Sequence, residues 1–154
     1  MFIPYTLNMA QSIITEKELR IWSMDRPEIN TLVENVRFTP EDIEQAITNV
    51  VDYFNILPPP TRHKYTVETF PSRALLALGV WGWLLRGAAI GEASNNLSYN
   101  ADGTTVNDRD KAEIFATLGK TLWDEFKELS NNIKLTQSIN KVYGFHSSEY
   151  SSIP

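Results

Sequence analysis

From Ala74 to Ala93 the chain is almost free of charge, interrupted only by Arg86 and Glu92. Its unbroken apolar part, Ala74 to Leu85, is twelve residues long. A helix needs roughly 20 to cross a bilayer, so the run predicts a helix buried in protein, and no membrane is expected as a partner. Pro71 is a favourable first residue, and the helix is expected over 71–94. Glycines stand at 79, 82, 87 and 91. Each weakens a helix by roughly 1 kcal/mol relative to alanine. Close backbone approach between packed helices would offset that, and Gly87 and Gly91 have the small-xxx-small spacing. Trp81 and Trp83 flank Gly82 and leave the helix in different directions. The helix should therefore be enclosed on several sides, in the core or partly between subunits.

Two more long helices would enclose it. Thr39 is a good N-cap, Pro40 suits the first helical position, and Glu41 and Asp42 complement the helix dipole. Ile43, Ala46, Ile47, Val50, Val51 and Phe54 recur every three or four residues, so a helix is expected over 40–57 with one buried face. Pro58, Pro59 and Pro60 must end it, because proline cannot donate to the helical ladder. A helix over 108–132 is expected to bury Phe115, Leu118, Leu122, Phe126, Leu129 and Ile133. Shorter helical turns are expected near 15–35. Thr15 and Glu18 have capping-box spacing there, and Pro27 opens a second turn. Trp22 and Trp123 are expected in the core.

The remaining segments read as extended. Lys64 to Phe70 alternates Tyr65 and Val67 with polar residues. Asp102-Gly103, between Leu97-Ser98-Tyr99 and Thr104-Thr105-Val106, signals a hairpin near 97–106. From Lys134 the apolar period falls towards two through Leu135, Ile139 and Tyr143, and the chain ends rich in Ser and Tyr. The expected organisation is an N-terminal arm (1–14), a helical domain with the hairpin (15–133) and an extended C-terminal arm (134–154). The fold class is mainly α: a bundle of three to four helices with a small β-hairpin and extended terminal arms.

Little points to chemistry. The 154 residues include no cysteine, which excludes thiolate metal sites and cysteine nucleophiles. Fourteen Lys and Arg against nineteen Asp and Glu leave a formal charge of −5, a poor fit to binding a phosphate backbone. His63 and His146 lack ligand partners at metal spacing. Asn100, Asp102, Asp108 and Asp110 lack the glutamate of a calcium loop, and a turn followed by a helix cap accounts for them. Gly87 and Gly91 precede no phosphate-loop lysine. No serine sits in a nucleophile elbow. The expectation is a protein that is not an enzyme and takes no metal or cofactor. The candidate contact residues are Trp81, Trp83, Tyr99, Asp102, Gly103, Leu135, Ile139, Tyr143, Phe145 and Tyr150. The aromatic residues of the tail suit docking on a neighbour.

Three stretches carry a resemblance: Glu18-Leu-Arg-Ile-Trp-Ser-Met-Asp-Arg-Pro-Glu, Thr39-Pro-Glu-Asp-Ile-Glu-Gln-Ala, and Leu97-Ser-Tyr-Asn-Ala-Asp-Gly-Thr-Thr-Val-Asn-Asp-Arg-Asp-Lys-Ala. Over roughly residues 18 to 150 the chain resembles neck proteins of tailed bacteriophages, the head–tail connectors and adaptors. The resemblance implies a small, mainly helical virion protein, made in the host cytoplasm and assembled as a homo-oligomeric ring on the portal. It implies the portal protein and other neck or tail proteins as partners, with DNA at most passing through the lumen. A tail terminator, a baseplate component and a non-viral cytoplasmic helical scaffolding module are the alternatives.

Overall fold

The computed structural model describes residues 12–30, 35–94, 98–101, 104–107 and 109–143. The chain is mainly α, with four helices among the described residues: α1 (Glu16–Ser23), α2 (Pro40–Ile56), α3 (Arg73–Ser94) and α4 (Arg109–Tyr143). The hairpin expectation turns on Asp102 and Gly103, which lie outside the described residues. The tetrads Ser98–Ala101 and Thr104–Asn107 have backbones paired antiparallel, Tyr99 opposite Val106.

Local chemistry sets the helix starts. Thr15 and Thr39 are N-caps in capping boxes, closed by the Glu18 and Asp42 carboxylates. Such a cap is worth about 1 kcal/mol. Glu18 also pairs with Arg73, tying α1 to the start of α3. Ser72, not Pro71, begins α3: its hydroxyl accepts from the Leu75 N–H at 3.3 Å and its carbonyl from Leu76 at 3.0 Å.

The core lies where α2, α3 and α4 meet. Ile43, Ala46, Ile47, Val50, Val51 and Phe54 of α2 are buried, the face the sequence spacing predicts. They meet Leu75, Leu76, Val80 and Leu84 of α3 and Trp123 and Phe126 of α4. The packing depends on glycine at positions other than those the spacing suggested. A Cβ on Gly79 would lie 2.6 Å from a Val50 methyl and 2.8 Å from the Phe126 ring. Gly82 sits against the Trp123 backbone and Gly119 against the Arg86 backbone, so α3 and α4 approach at main-chain distance. Around Gly87 and Gly91 a Cβ would meet nothing within 4 Å. α3 is long and apolar enough to cross a membrane by length and composition, and half of that stretch is buried within the fold.

Other expectations are corrected. Lys64–Phe70 is not a strand, and among the described residues no strand lies beside it to offer a ladder. Instead the Asn55 amide brackets the Tyr65 backbone, accepting from its N–H at 2.8 Å and donating to its carbonyl at 2.9 Å. Thr66 and Thr69 hydroxyls then close a turn. The chain does not become extended at Lys134, since α4 continues to Tyr143. Its last turns are held by the Lys134 ammonium, which donates to the Phe54 and Leu57 carbonyls, and by Gln137, whose Oε1 accepts from the Tyr65 hydroxyl at 2.8 Å. The arm boundary at 14 shifts as well. Ile14 is buried in the core, and the Ile13 N–H donates to Val67. Residues 1–11 and 144–154 lie outside the described residues.

Candidate interaction surfaces

The stripe α4 turns inward is not its most apolar one. Gly119, Trp123, Phe126, Ser130 and Lys134 face the core. Leu118 and Leu129, expected inside, are exposed; they sit roughly 60–80° round the helix from Phe126. The inward face contains a glycine, a serine and a lysine, so hydrophobicity alone pointed to its neighbour. The consequence is an α4 that carries unburied apolar side chains along its length.

Three surfaces follow. The first lies near the end of α4, where Leu135, Ile139 and Val142 are 43%, 53% and 67% exposed. Their i, i+4, i+7 spacing places them on one side of the helix. The second is an open groove of about 1260 Å³ between α3 and α4, with Ala89, Ala93, Ala112 and Ala116 along it. Trp83 stands at its side, 5.6 Å from the Trp123 ring, and Arg86 lies over Trp123 at 5.6 Å. Asp124 pairs with Lys127 at 2.7 Å, and that hydrogen bond is the main cause holding its carboxyl below the usual 3.8.

The third surface is a cleft of about 530 Å³ walled by Trp22 in the last turn of α1 and Met24 just after it, by Leu78, Trp81 and Leu85 of α3, and by Phe115, Leu118 and Leu122 of α4. Trp22 is 62% exposed there, against the expectation that it packs in the core; α1 is short, and its one buried residue is Leu19. Behind the cleft Asp25 is a hub. Its carboxylate accepts from Arg20 at 2.9 Å, from Asn30 and the Arg37 N–H at 2.7 Å each, and from the Phe38 N–H at 3.3 Å. Arg37 reaches Glu92 at 3.3 Å and lies 4.7 Å over the Phe115 ring. The backbone around Arg37 and Phe38 is thereby pinned to α1 and α3 and rests on α4. These polar ties had no sequence pattern to announce them, since their partners are 5 to 55 residues apart.

The structure separates the two tryptophans picked as contact residues. Trp81 is buried at the cleft against Phe38, 5.7 Å ring to ring. Trp83 belongs to the groove. Leu135 and Ile139 come together. Tyr99 is described in its backbone alone, as is Tyr143 at the end of α4. Asp102, Gly103, Phe145 and Tyr150 lie outside the described residues, as does His146. No known family model, curated protein or solved structure matches the chain. Among the described residues no group of three His, Cys, Asp or Glu could hold a metal ion. His63 packs edge-on against Tyr65 at 4.7 Å. What these surfaces can do chemically is bury apolar area against another protein.

Proposed function

We propose that this chain is a structural virion subunit of a tailed bacteriophage, a head–tail connector or adaptor that forms a homo-oligomeric ring at the portal–tail junction. One observation carries the assembly part of the reading: the exposed stripe of Leu135, Ile139 and Val142. At roughly 25 cal/mol per Å² of apolar surface removed from water, side chains of this size favour a partner surface over solvent. The placement in the virion neck rests on the resemblance of the three sequence stretches.

In this reading the Leu97–Ala112 region, with the hairpin on Asp102-Gly103, supplies a ring contact. The segment after Tyr143, with Phe145 and Tyr150, adds contact area on a neighbour, as segments that order on binding do. Portal protein and other neck or tail proteins flank the ring, DNA at most passes through the lumen, and no catalysis, cofactor or membrane is involved. The protein is made in the host cytoplasm and ends in the virion.

Native mass spectrometry and electron microscopy of the purified chain, alone and with portal, test this. The expected result is a closed particle of many copies. Leu135→Asp with Ile139→Asp should abolish it while leaving the helical circular dichroism unchanged. A single copy at every concentration, indifferent to portal, sinks the reading and favours a helical scaffolding module. Rings that cap tails but ignore portal favour a tail terminator.

A further inference from the structure

The end of α4 carries a charge pattern that the apolar stripe does not explain. The chain as a whole is acidic, yet beyond Glu128 α4 has no Asp or Glu and holds Lys134 and Lys141. Lys134 is engaged inside the fold by the Phe54 and Leu57 carbonyls. Lys141 instead joins Arg62 and His63 in lining an open cleft of about 600 Å³ whose walls include no carboxylate. Arg62 and Lys141 are exposed, and neither pairs with a carboxylate among the described residues. Val142 belongs both to this cleft and to the exposed stripe with Leu135 and Ile139, so the cations border an apolar patch. Cations gathered without counter-charges repel one another until an anionic group is brought to them.

The complementary surface lies on the same helix. Leu118, Glu125 and Leu129 are exposed, and their i, i+7, i+11 spacing puts them within about 40° of one another around α4. Glu128 is exposed beside them, and neither glutamate pairs with a cation among the described residues. Apolar side chains set among carboxylates complement apolar side chains edged by cations.

We infer that these two patches bind each other between copies: the cationic end of α4 in one copy, with Arg62, Lys141 and Val142, seats on the Leu118, Glu125 and Leu129 face of the next. The contact rests on the ring reading and supplies its geometry. Lys141 follows Glu125 by sixteen residues, which places it about 160° round the helix. Patches on opposite sides of one helix cannot both face a single partner, so two-fold pairing would use one of them and set like charges together. Head-to-tail pairing uses both, one towards each neighbour, and such heterologous contacts close into rings when the rotation allows. An unrelated acidic partner would leave the Glu125 face uncovered, whereas further copies of this chain cover both patches.

Charge reversal tests the contact. Arg62→Glu with Lys141→Glu puts acid against acid at every junction, and Glu125→Lys with Glu128→Lys puts base against base. All four positions are exposed, so the helical circular dichroism should match wild type. Each double variant alone should assemble at least about 10-fold more weakly than wild type by native mass spectrometry and sedimentation. An equimolar mixture offers a reversed end to a reversed face and a natural end to a natural face. It should therefore recover assemblies of more than two copies that contain both variants. Wild-type assembly should itself weaken as sodium chloride is raised, the reverse of a purely apolar contact. Variants that assemble like wild type, a mixture that stays unassembled or stops at two copies, or wild-type assembly indifferent to salt would overturn the head-to-tail contact and leave the ring reading in place. Wild type that remains a single copy at every concentration would overturn both.

Discussion

Lys134 is fully buried, and its ammonium bonds to the Phe54 and Leu57 carbonyls and lies 4.7 Å from the Phe54 ring. α2 has no basic residue in its own last turn, so α4 supplies the cation that its C-terminal carbonyls favour. Lys134→Met keeps the stem volume and strips the charge, orphaning two carbonyls; the expected loss is about 1–3 kcal/mol by urea unfolding. Burial also holds the Lys134 pKa below the usual 10.5. The unfolded chain therefore binds more protons between that lowered value and 10.5, and this group makes stability rise with pH across the interval. Wild type should accordingly gain on Lys134→Met as the pH approaches 10.5 from below; a constant gap would refute the sign. Glu18 has the opposite sense. Its bonds from the Thr15 backbone and hydroxyl and from Arg73 hold its pKa below 4.5. Its contribution is present above 4.5 and drains away as the pH falls through the lowered value, so Glu18→Gln should flatten the acid limb of the unfolding curve. Asp25 matters through its hydrogen bonds. Asp25→Ala leaves Arg20 with Glu16 at 2.7 Å and the Phe38 carbonyl at 2.8 Å but takes the acceptor from the Arg37 and Phe38 N–H groups, and should cost about 1–3 kcal/mol.

Between α3 and α4 the decisive residues are the ones with no side chain. A Cβ at Gly119 would stand 2.9 Å from the Arg86 backbone nitrogen, which cannot move without shifting the helix. Gly119→Ala should lose about 1–3 kcal/mol through overpacking. Gly87→Ala meets open space and should gain up to about 1 kcal/mol from helix propensity. Thermal unfolding of the two variants should move in opposite directions, and parallel shifts would mean that the α3–α4 approach is misplaced. The contrast also shows what the sequence could reveal. Caps and one-sided stripes are local, so α1 and α2 were legible from Thr15, Thr39 and the Ile43–Phe54 spacing. Which glycine meets another backbone is a property of two helices at once, and Gly87 and Gly91 looked as qualified as Gly79 and Gly82. The inward face of α4 was hidden for the same reason. Lys134 enters the core because carbonyls at the end of α2 await a cation there, which no periodicity within α4 can express.

On the scale of the whole molecule, α4 ties together regions that the sequence divided at residue 133. Near one end Phe115 lies under Arg37. Near the other, Lys134 and Gln137 hold the end of α2 and Tyr65. Trp123 and Phe126 between them belong to the common core. A helix anchored at both ends and in the middle cannot detach without opening the core, so the described body should unfold in one transition. The contact residues behaved differently from the core because the sequence marks apolar side chains without saying which ones the fold will cover. Trp81 was enclosed, while Leu135 and Ile139 were left outside on an otherwise well-anchored helix. That separation gives the last test. Far-ultraviolet circular dichroism and tryptophan emission should report coincident unfolding in wild type and in Leu135→Asp with Ile139→Asp. The unfolding free energies should differ by no more than about 0.5 kcal/mol per substitution, as exposed positions allow. Ring formation should disappear in the same variant. If stability falls by several kcal/mol along with assembly, these two side chains support the monomer and the stripe is not an assembly surface.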